Sequence, residues 1–302
     1  MTVSRRTFLT AGAGFFMAGL GGAAYARYIE PGGAFALTRH AFTPALWTPG
    51  LKLRVAALAD LHCGSAHMSL ARVQEVVDAT HALQPDLILL LGDYVTRDRR
   101  NVHQVTPAQW SRELGRLRAP LGVFSIMGNH EYWDDPEVQK RQSGDPFALR
   151  ALHDVGVPVL QNDAVRLAKD GVPFWIVGLG DQLAYRIGYT PTGRWRFQGL
   201  DDVPGALARV TDAAPVIMMA HEPDIFAEMP SRVSLTLSGH THGGQVNLFG
   251  YAPWTPSEYG MRYVYGRIVE SGRDLVVSAG LGTSGLPIRF GAPPEIVLLE
   301  LG

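Results

Sequence analysis

A single cysteine, Cys63, stands in 302 residues. It cannot close an internal disulfide, and it cannot build a thiolate metal cage. Excess charge is missing as well: the formal net charge is −1, which leaves no electrostatic footprint for nucleic acid. Beyond residue 26 no apolar run is long enough to span a bilayer. There is no internal repeat. What is present is a composition with 46% hydrophobic and 18% charged residues, which supports a buried core and argues against wholesale disorder. A chain of this length makes one large α/β domain or two small ones.

The N-terminus is arranged for something other than folding. Arg5 and Arg6 stand directly before an apolar run from Phe8 to about Leu20, which ends near Ala24-Tyr25-Ala26. A charged start, an apolar stretch and an A-x-A site read as a secretory signal. The paired arginines resemble a Tat signal, whose route exports folded proteins to the periplasm or cell envelope. Left uncut, the same run is a membrane anchor, though short for a full span. Residues 1–26 are therefore set apart from the fold. Residues 27–50, with several Pro and Gly and no clear period, read as a surface lead-in, and residues 51–302 as one domain.

From Leu51 the pattern is regular. Leu53, Val55, Ala57 and Leu58 predict a buried strand ending at Asp60. Ser69 is a candidate N-cap for a helix carrying Leu70, Val73, Val76, Val77 and Leu83, stopped by Pro85. Residues 86–91 are almost wholly apolar, as in a strand covered on both faces. Residues 107–117 predict a helix and 121–127 a strand. This alternation is the α/β pattern with a parallel sheet. Farther on, residues 157–160, 164–167, 174–177, 215–220 and 235–237 read as strands and 203–210 as a helix. Residues 263–269, 275–278 and 296–299 are expected to complete a second sheet.

Five short elements carry chemistry, each at the end of a predicted strand: Asp60-Leu61-His62, Gly92-Asp93, Gly128-Asn129-His130-Glu131, His221, and Gly239-His240-Thr241-His242-Gly243-Gly244. In open α/β sheets, ligands bind beyond the carboxyl ends of the strands. Side chains two apart on extended chain point the same way, so Asp60 with His62, and His240 with His242, would each aim two ligands at one place. Singly each element is weak: D-x-H is almost uninformative, G-D is a common turn, and a lone histidine is more often hydrogen-bonded core. Jointly and in order they indicate a metal centre. Carboxylate, imidazole and amide oxygen suit Mn, Fe or Zn, with Mn favoured. Asp60, His62, Asp93, Asn129, His221, His240 and His242 exceed what one divalent ion usually takes, so two ions about 3.5–4 Å apart are the simpler reading, with Asp93 the natural bridge. His40, His67, His81, His103 and His153 fall outside the motifs and read as surface or satisfied residues.

The order D-x-H, G-D, G-N-H-E, H, G-H-x-H, spread from Leu53 to Leu299, resembles the calcineurin-like metallophosphoesterases. The strings at residues 221–224 (HEPD), 239–245 (GHTHGGQ) and 282–289 (GTSGLPIR) resemble its bacterial YkuE/YaeI-like branch, whose members often carry a Tat signal or membrane anchor. The resemblance implies two mixed β-sheets packed as a sandwich with flanking helices. It implies Asp60, His62 and His242 on one metal, Asn129, His221 and His240 on the other, and Asp93 bridging. One departure stands out. The protein Ser/Thr phosphatases have G-D-x-x-D-R-G, and this chain reads Gly92-Asp93-Tyr94-Val95-Thr96-Arg97-Asp98. Thr96 replaces the Asp that would orient the catalytic histidine. That weakens a protein-phosphatase reading and leaves the orienter of His130 open.

Such a site is expected to hydrolyse P–O bonds, because metal coordination makes water acidic enough to ionise near neutral pH. His130 is not needed as a ligand, and an imidazole is suited to protonate the leaving oxygen. Arg97 is a candidate contact to substrate phosphate through its planar fork. A phosphodiester or a pyrophosphate-linked lipid head group is the first expectation, from the N-terminal run and from Trp133, Trp254 and Tyr259, since aromatics favour half-wet surfaces. Some relatives hydrolyse UDP-2,3-diacylglucosamine in lipid A synthesis, a cytoplasmic substrate that fits an inward-facing anchor better than export. The alternatives are a phosphomonoesterase on the same metals and an inactive metal-binding envelope protein. A scaffold has no use for a free acid such as His130.

Overall fold

The apolar runs become strands because their alternate residues have two different covers. In the computed structural model, which describes residues 19–96 and 101–302, Val55 and Ala57 face one core while Ala56 and Leu58 face another. Leu87 and Leu89 alternate with Ile88 and Leu90 in the same way. This is the period-2 rule applied to strands covered on both faces. The described strands are β1 (Ala36–Phe42), β2 (Leu53–Leu58), β3 (Leu87–Leu90), β4 (Val123–Ser125), β5 (Asp163–Lys169), β6 (Val172–Gly178), β7 (Tyr185–Tyr189), β8 (Trp195–Gln198), β9 (Val216–Met219), β10 (Leu235–Ser238), β11 (Gly266–Glu270), β12 (Arg273–Val277) and β13 (Glu295–Leu301).

Two mixed sheets result, with orders β1-β13-β2-β3-β4 and β11-β12-β10-β9-β6-β5, beside the hairpin β7-β8. Val55, Leu89, Ile176, Ile217, Leu237 and Leu299 pack between the two large sheets. The outer face of the first sheet is covered by helices α1 (Leu70–Ala82), α2 (Pro107–Leu114) and, farther along, α3 (Asn129–Trp133), α4 (Pro136–Arg141) and α5 (Phe147–Asp154). Ser69 caps α1 by accepting from Arg72 N, as its sequence position predicts. Helix α6 (Val203–Leu207) lies on the outer face of the second sheet, where Val177, Met218 and Phe226 are buried. Strands β2, β3 and β4 are mutually parallel, as are β6, β9, β10 and β12.

Several sequence expectations need correction. The lead-in contains β1, a half-buried edge strand that pairs in parallel with β13. Its inward positions include Thr38 and His40, so no apolar period marks it. Strand β13 does not join the second sheet. It runs antiparallel to β2 in the first, a pairing that no local pattern encodes. Residues 157–160 form only an isolated bridge, Ser125 with Val159. Among the described residues no helix is long and apolar enough to cross a membrane.

Candidate metal centre

Strands β2, β3 and β4 of the first sheet and β9 and β10 of the second are each followed by an expected ligand, and these ligands converge. Asp60, His62, Asp93, Asn129, His221, His240 and His242 are all buried there. The convergence is not produced by extended chain. Asp60, His62, Asp93, His240 and His242 have φ of 53°, 46°, 57°, 69° and 53°, so each turns in the left-handed region. Such backbone costs about 1–3 kcal/mol per residue and persists where its surroundings over-determine it. Here backbone bonds tie the turns together: Asp60 N donates to Gly92 O, His62 N to Asp93 O, and Gly239 N to His221 O. The turns also need glycine. A Cβ at Gly128 would stand 2.5 Å from Asp93 Oδ1 and 2.8 Å from His221 Cε1.

The donor atoms form two adjoining groups. Around one point, His62 Nε2 lies 3.2 Å from His242 Nε2, and His242 Nε2 lies 3.5 Å from Asp60 Oδ1. Around the other, His240 Nδ1 lies 2.9 Å from Asn129 Oδ1. Asp93 Oδ2 stands between the groups, 3.6 Å from His62 Nε2 and 3.2 Å from His221 Nε2. Donors each about 2.0–2.2 Å from a common ion stand about 3–3.6 Å apart, so these spacings are those of a coordination shell.

On His221, His240 and His62 a backbone carbonyl stands on one ring nitrogen and the other points inward. His221 Nδ1 donates to Leu91 O at 2.7 Å, and its buried Nε2 points at Asp93 Oδ2, 3.2 Å away, whose charge outweighs burial and holds the ring's pKa well above its usual value. His240 Nε2 faces the Pro256 carbonyl at 3.1 Å, which turns the Nδ1 lone pair toward the Asn129 oxygen. His62 Nδ1 faces Val95 O at 3.2 Å. A carbonyl on the far nitrogen is the usual way a protein fixes a metal-binding imidazole. Burial pushes His62 down to about 4 and, with His221 nearby, His240 down to about 3, so both rings are neutral. Burial, reinforced by the Asp93 charge, pushes Asp60 up to about 7. Buried carboxylates and imidazoles whose donor atoms converge are a set that a shared cation satisfies. The residues present fit two divalent ions.

His130 sits beside this set, and both its ring nitrogens are engaged. Nδ1 meets Asp134 Oδ2 at 3.0 Å and Nε2 meets Ser284 Oγ at 3.2 Å. Burial lowers its affinity for a proton, but the charges of Asp93 and Asp134 outweigh burial and its pKa is raised. Asp134 is thus the orienter that the sequence left open, one helical turn after His130. Glu131 does something else. Its carboxylate accepts from the backbone N–H groups of Asp93, Tyr94, Val95 and Gly128, at 2.7 to 3.2 Å. It therefore holds two of the ligand loops together.

Arg289 is the other residue whose role the sequence does not show. It is fully buried and donates to the carbonyls of Gly282, Ala279 and Ala292, with Nη2 3.3 Å from His242 Nδ1. Burial pushes its pKa down to about 10. Arg97 lies outside the described residues, as do Arg5 and Arg6. Trp133 is half-buried against Phe197 at a ring distance of 5.3 Å, whereas Trp254 and Tyr259 are exposed.

The calcineurin-like phosphoesterase family profile matches residues 53–244, the stretch that carries all seven converging donors. The chain belongs to that family. It is similar to the uncharacterized metallophosphoesterase YkuE of Bacillus subtilis, 32% identical over 99% of this chain and 98% of the relative. It is equally similar to the phosphodiesterase YaeI of Escherichia coli, 32% identical over 99% of each. A zebrafish transmembrane protein with a metallophosphoesterase domain is 28% identical over 82% of this chain and 53% of its own length. The chain is accordingly a metal-dependent phosphoric ester hydrolase, with the sandwich fold of its family.

Proposed function

We propose that this calcineurin-like phosphoesterase is a phosphodiesterase that cleaves a phosphodiester or pyrophosphate bond. The observation that supports it is the convergence of seven donors beside a histidine that is not one of them. YaeI, named a phosphodiesterase, is similar over the full length. Asp60, His62 and His242 would hold one ion, Asn129, His221 and His240 the other, and Asp93 both. When bound, two such ions lower the pKa of water toward neutrality and neutralise charge on phosphoryl oxygens. Manganese is the ion we favour.

The chain's own residues supply the rest. The Asp93 carboxylate is aimed by the His130 backbone N–H, which donates to Oδ1 at 2.9 Å and leaves Oδ2 toward the two donor groups. Asp60 is held by the His240 N–H at 3.0 Å. His130 Nε2 faces the rim, where a leaving oxygen would take its proton, and Asp134 stabilises the imidazolium from behind. Ser284 Oγ is the group a substrate would displace. The test is the full chain, stripped of metal and reloaded with Mn²⁺, assayed on bis(p-nitrophenyl) phosphate and p-nitrophenyl phosphate. Faster diester cleavage, lost in Asp93→Asn, is expected. Faster monoester cleavage would make the enzyme a phosphomonoesterase. No metal-dependent rate on either would count against both.

A further inference from the structure

The rim of the metal centre is a second surface with its own chemistry. Residues 245–257 and 275–288 contain no charged side chain, and neither do residues 7–26. The two loops and residues 25–26 adjoin at Arg289 and Phe290. Phe290 pairs with Val246, Gln245 Nε2 donates to Leu286 O, and the Tyr25 ring meets Phe290 edge-on at 6.0 Å. Large apolar side chains on the loops are exposed: Phe249 completely, Trp254 71% and Leu286 65%; beside them Tyr28, with the Arg27 guanidinium over its ring at 4.8 Å, is 67% exposed. Both loops reach the metal centre from this rim, through Pro256 O on His240 and Ser284 Oγ on His130. Large apolar side chains concentrated in uncharged segments mark a surface that meets another apolar phase.

The N-terminal segment bears on what that phase is. Residues 19–29 are helical, and the end of this helix is locked onto the domain. Ala26 O accepts from Arg289 N at 2.9 Å, and the Glu30 carboxylate accepts from Gly291 N and Ala292 N at 3.0 and 2.8 Å. The A-x-A site at residues 24–26 is therefore wound into a helix, with Ala26 only 9% exposed. Cleavage there requires this backbone to leave its hydrogen bonds and extend, and Ala26 to leave its contact with Arg289. The helix is entered from the apolar run of residues 8–20. An apolar run of about that length is too short to span a bilayer and occurs as an interfacial segment or a signal h-region. Tyr and Trp beside it are the residues enriched at that depth.

We propose that the helix at residues 19–29 is retained after export and, with the loops at residues 245–257 and 282–290, seats the domain on a lipid bilayer, so that the metal centre opens at the membrane surface. The consequence for substrate, a phosphoester presented by a lipid, rests on the diesterase reading; the docking does not. The test uses the full chain with a polarity-sensitive fluorophore at Phe249→Cys, in vesicles of phosphatidylethanolamine and phosphatidylglycerol. Cys63 is buried and would not compete for the label. The control is Asp170→Cys in the β5–β6 turn, which is exposed at the opposite end of the second sheet from the metal centre. Doxyl-labelled lipid should quench the label at 249 at least ~2-fold and leave the label at 170 unchanged, a contrast expected of interfacial burial. Equal behaviour of the two labels would overturn the proposal. So would a blue shift at 249 that follows protein concentration and ignores doxyl lipid, which would make the rim a contact between copies. An intact mass beginning at Arg27 in the membrane-bound protein would also overturn it, because the helix would be gone.

Discussion

The floor of the metal centre and its rim are built on opposite principles. On the floor every ligand is buried, and each is reached through a turn whose backbone is fixed by neighbours: Glu131 gathers four N–H groups, and Arg289 gathers three carbonyls. On the rim, Phe249, Trp254 and Leu286 project into open space from segments without charge. The floor carries strain at five left-handed residues and has no freedom to vary. The rim turns left-handed too, at Gln245 and Phe249 with φ of 55° and 54°, but those turns carry no donor of the metal centre. The difference separates what the reaction requires from what the substrate's surroundings require. Substitutions on the floor should cost rate or stability, and substitutions on the rim should cost only where the substrate is presented.

The largest effect is expected at Asp93, whose Oδ2 is shared by both donor groups. Asp93→Asn removes the bridging charge. Several kcal/mol of transition-state stabilisation should go with it, ~10⁴-fold in kcat/KM, together with bound metal by elemental analysis. Retention of both metals and rate would dissolve the distinction between floor and rim at its centre. Next stands His130→Ala, expected to lower kcat by ~10²–10⁴-fold while both metals are kept. Metal loss instead would show that His130 is a ligand, as its place in one buried group with His62 and Asp93 would allow.

Glu131 sharpens the comparison in stability. Glu131→Ala strands four buried backbone donors in an enclosed site. Each unsatisfied donor costs about 1–3 kcal/mol, so the urea midpoint should fall by an amount equivalent to at least about 3 kcal/mol. Asp134→Asn is milder. The amide can still accept from His130 Nδ1 but carries no charge, and loss of such an outer partner costs ~10–100-fold. The readout is kcat at unchanged metal content and unchanged KM, which a general packing defect would not give.

The sequence discloses the floor unevenly. The βαβ start and the seven donors are legible because each donor follows an apolar run of alternating cover and most have an adjacent glycine. The geometry that joins them is not legible. Nothing local shows that Asp60 and His242 turn left-handed, or that the reason for glycine at 128 is the Asp93 carboxylate 2.5 Å from where its Cβ would be. Glu131 is visible as a motif letter, but its backbone partners stand up to 38 residues away from it in sequence. Asp134 is one turn from His130 in a helix too short to announce itself by period. Strand β13 joins the first sheet across the whole chain, by a pairing set at the level of topology. The rim is the hardest to read, because an uncharged loop looks the same in sequence whether it is buried or exposed.

The smallest effect is therefore the one that defines the rim. The double variant Phe249→Ser/Trp254→Ser removes two exposed side chains that stack on no ring among the described residues and lie outside the donor set. Exposed substitutions away from special features fall within about ±0.5 kcal/mol, so folding and the rate on soluble bis(p-nitrophenyl) phosphate should stay within ~2-fold of the parent. The same variant, given a diester carried in vesicles, should lose rate, because each large apolar side chain withdrawn from an interface forfeits about 1.5–3 kcal/mol of transfer free energy. A loss on both substrates would mean that the rim shapes the site itself and that floor and rim are one structure. A loss on neither would leave the exposed aromatics without a part in the reaction. Only the split, soluble rate kept and presented rate lost, is what two independently built regions predict.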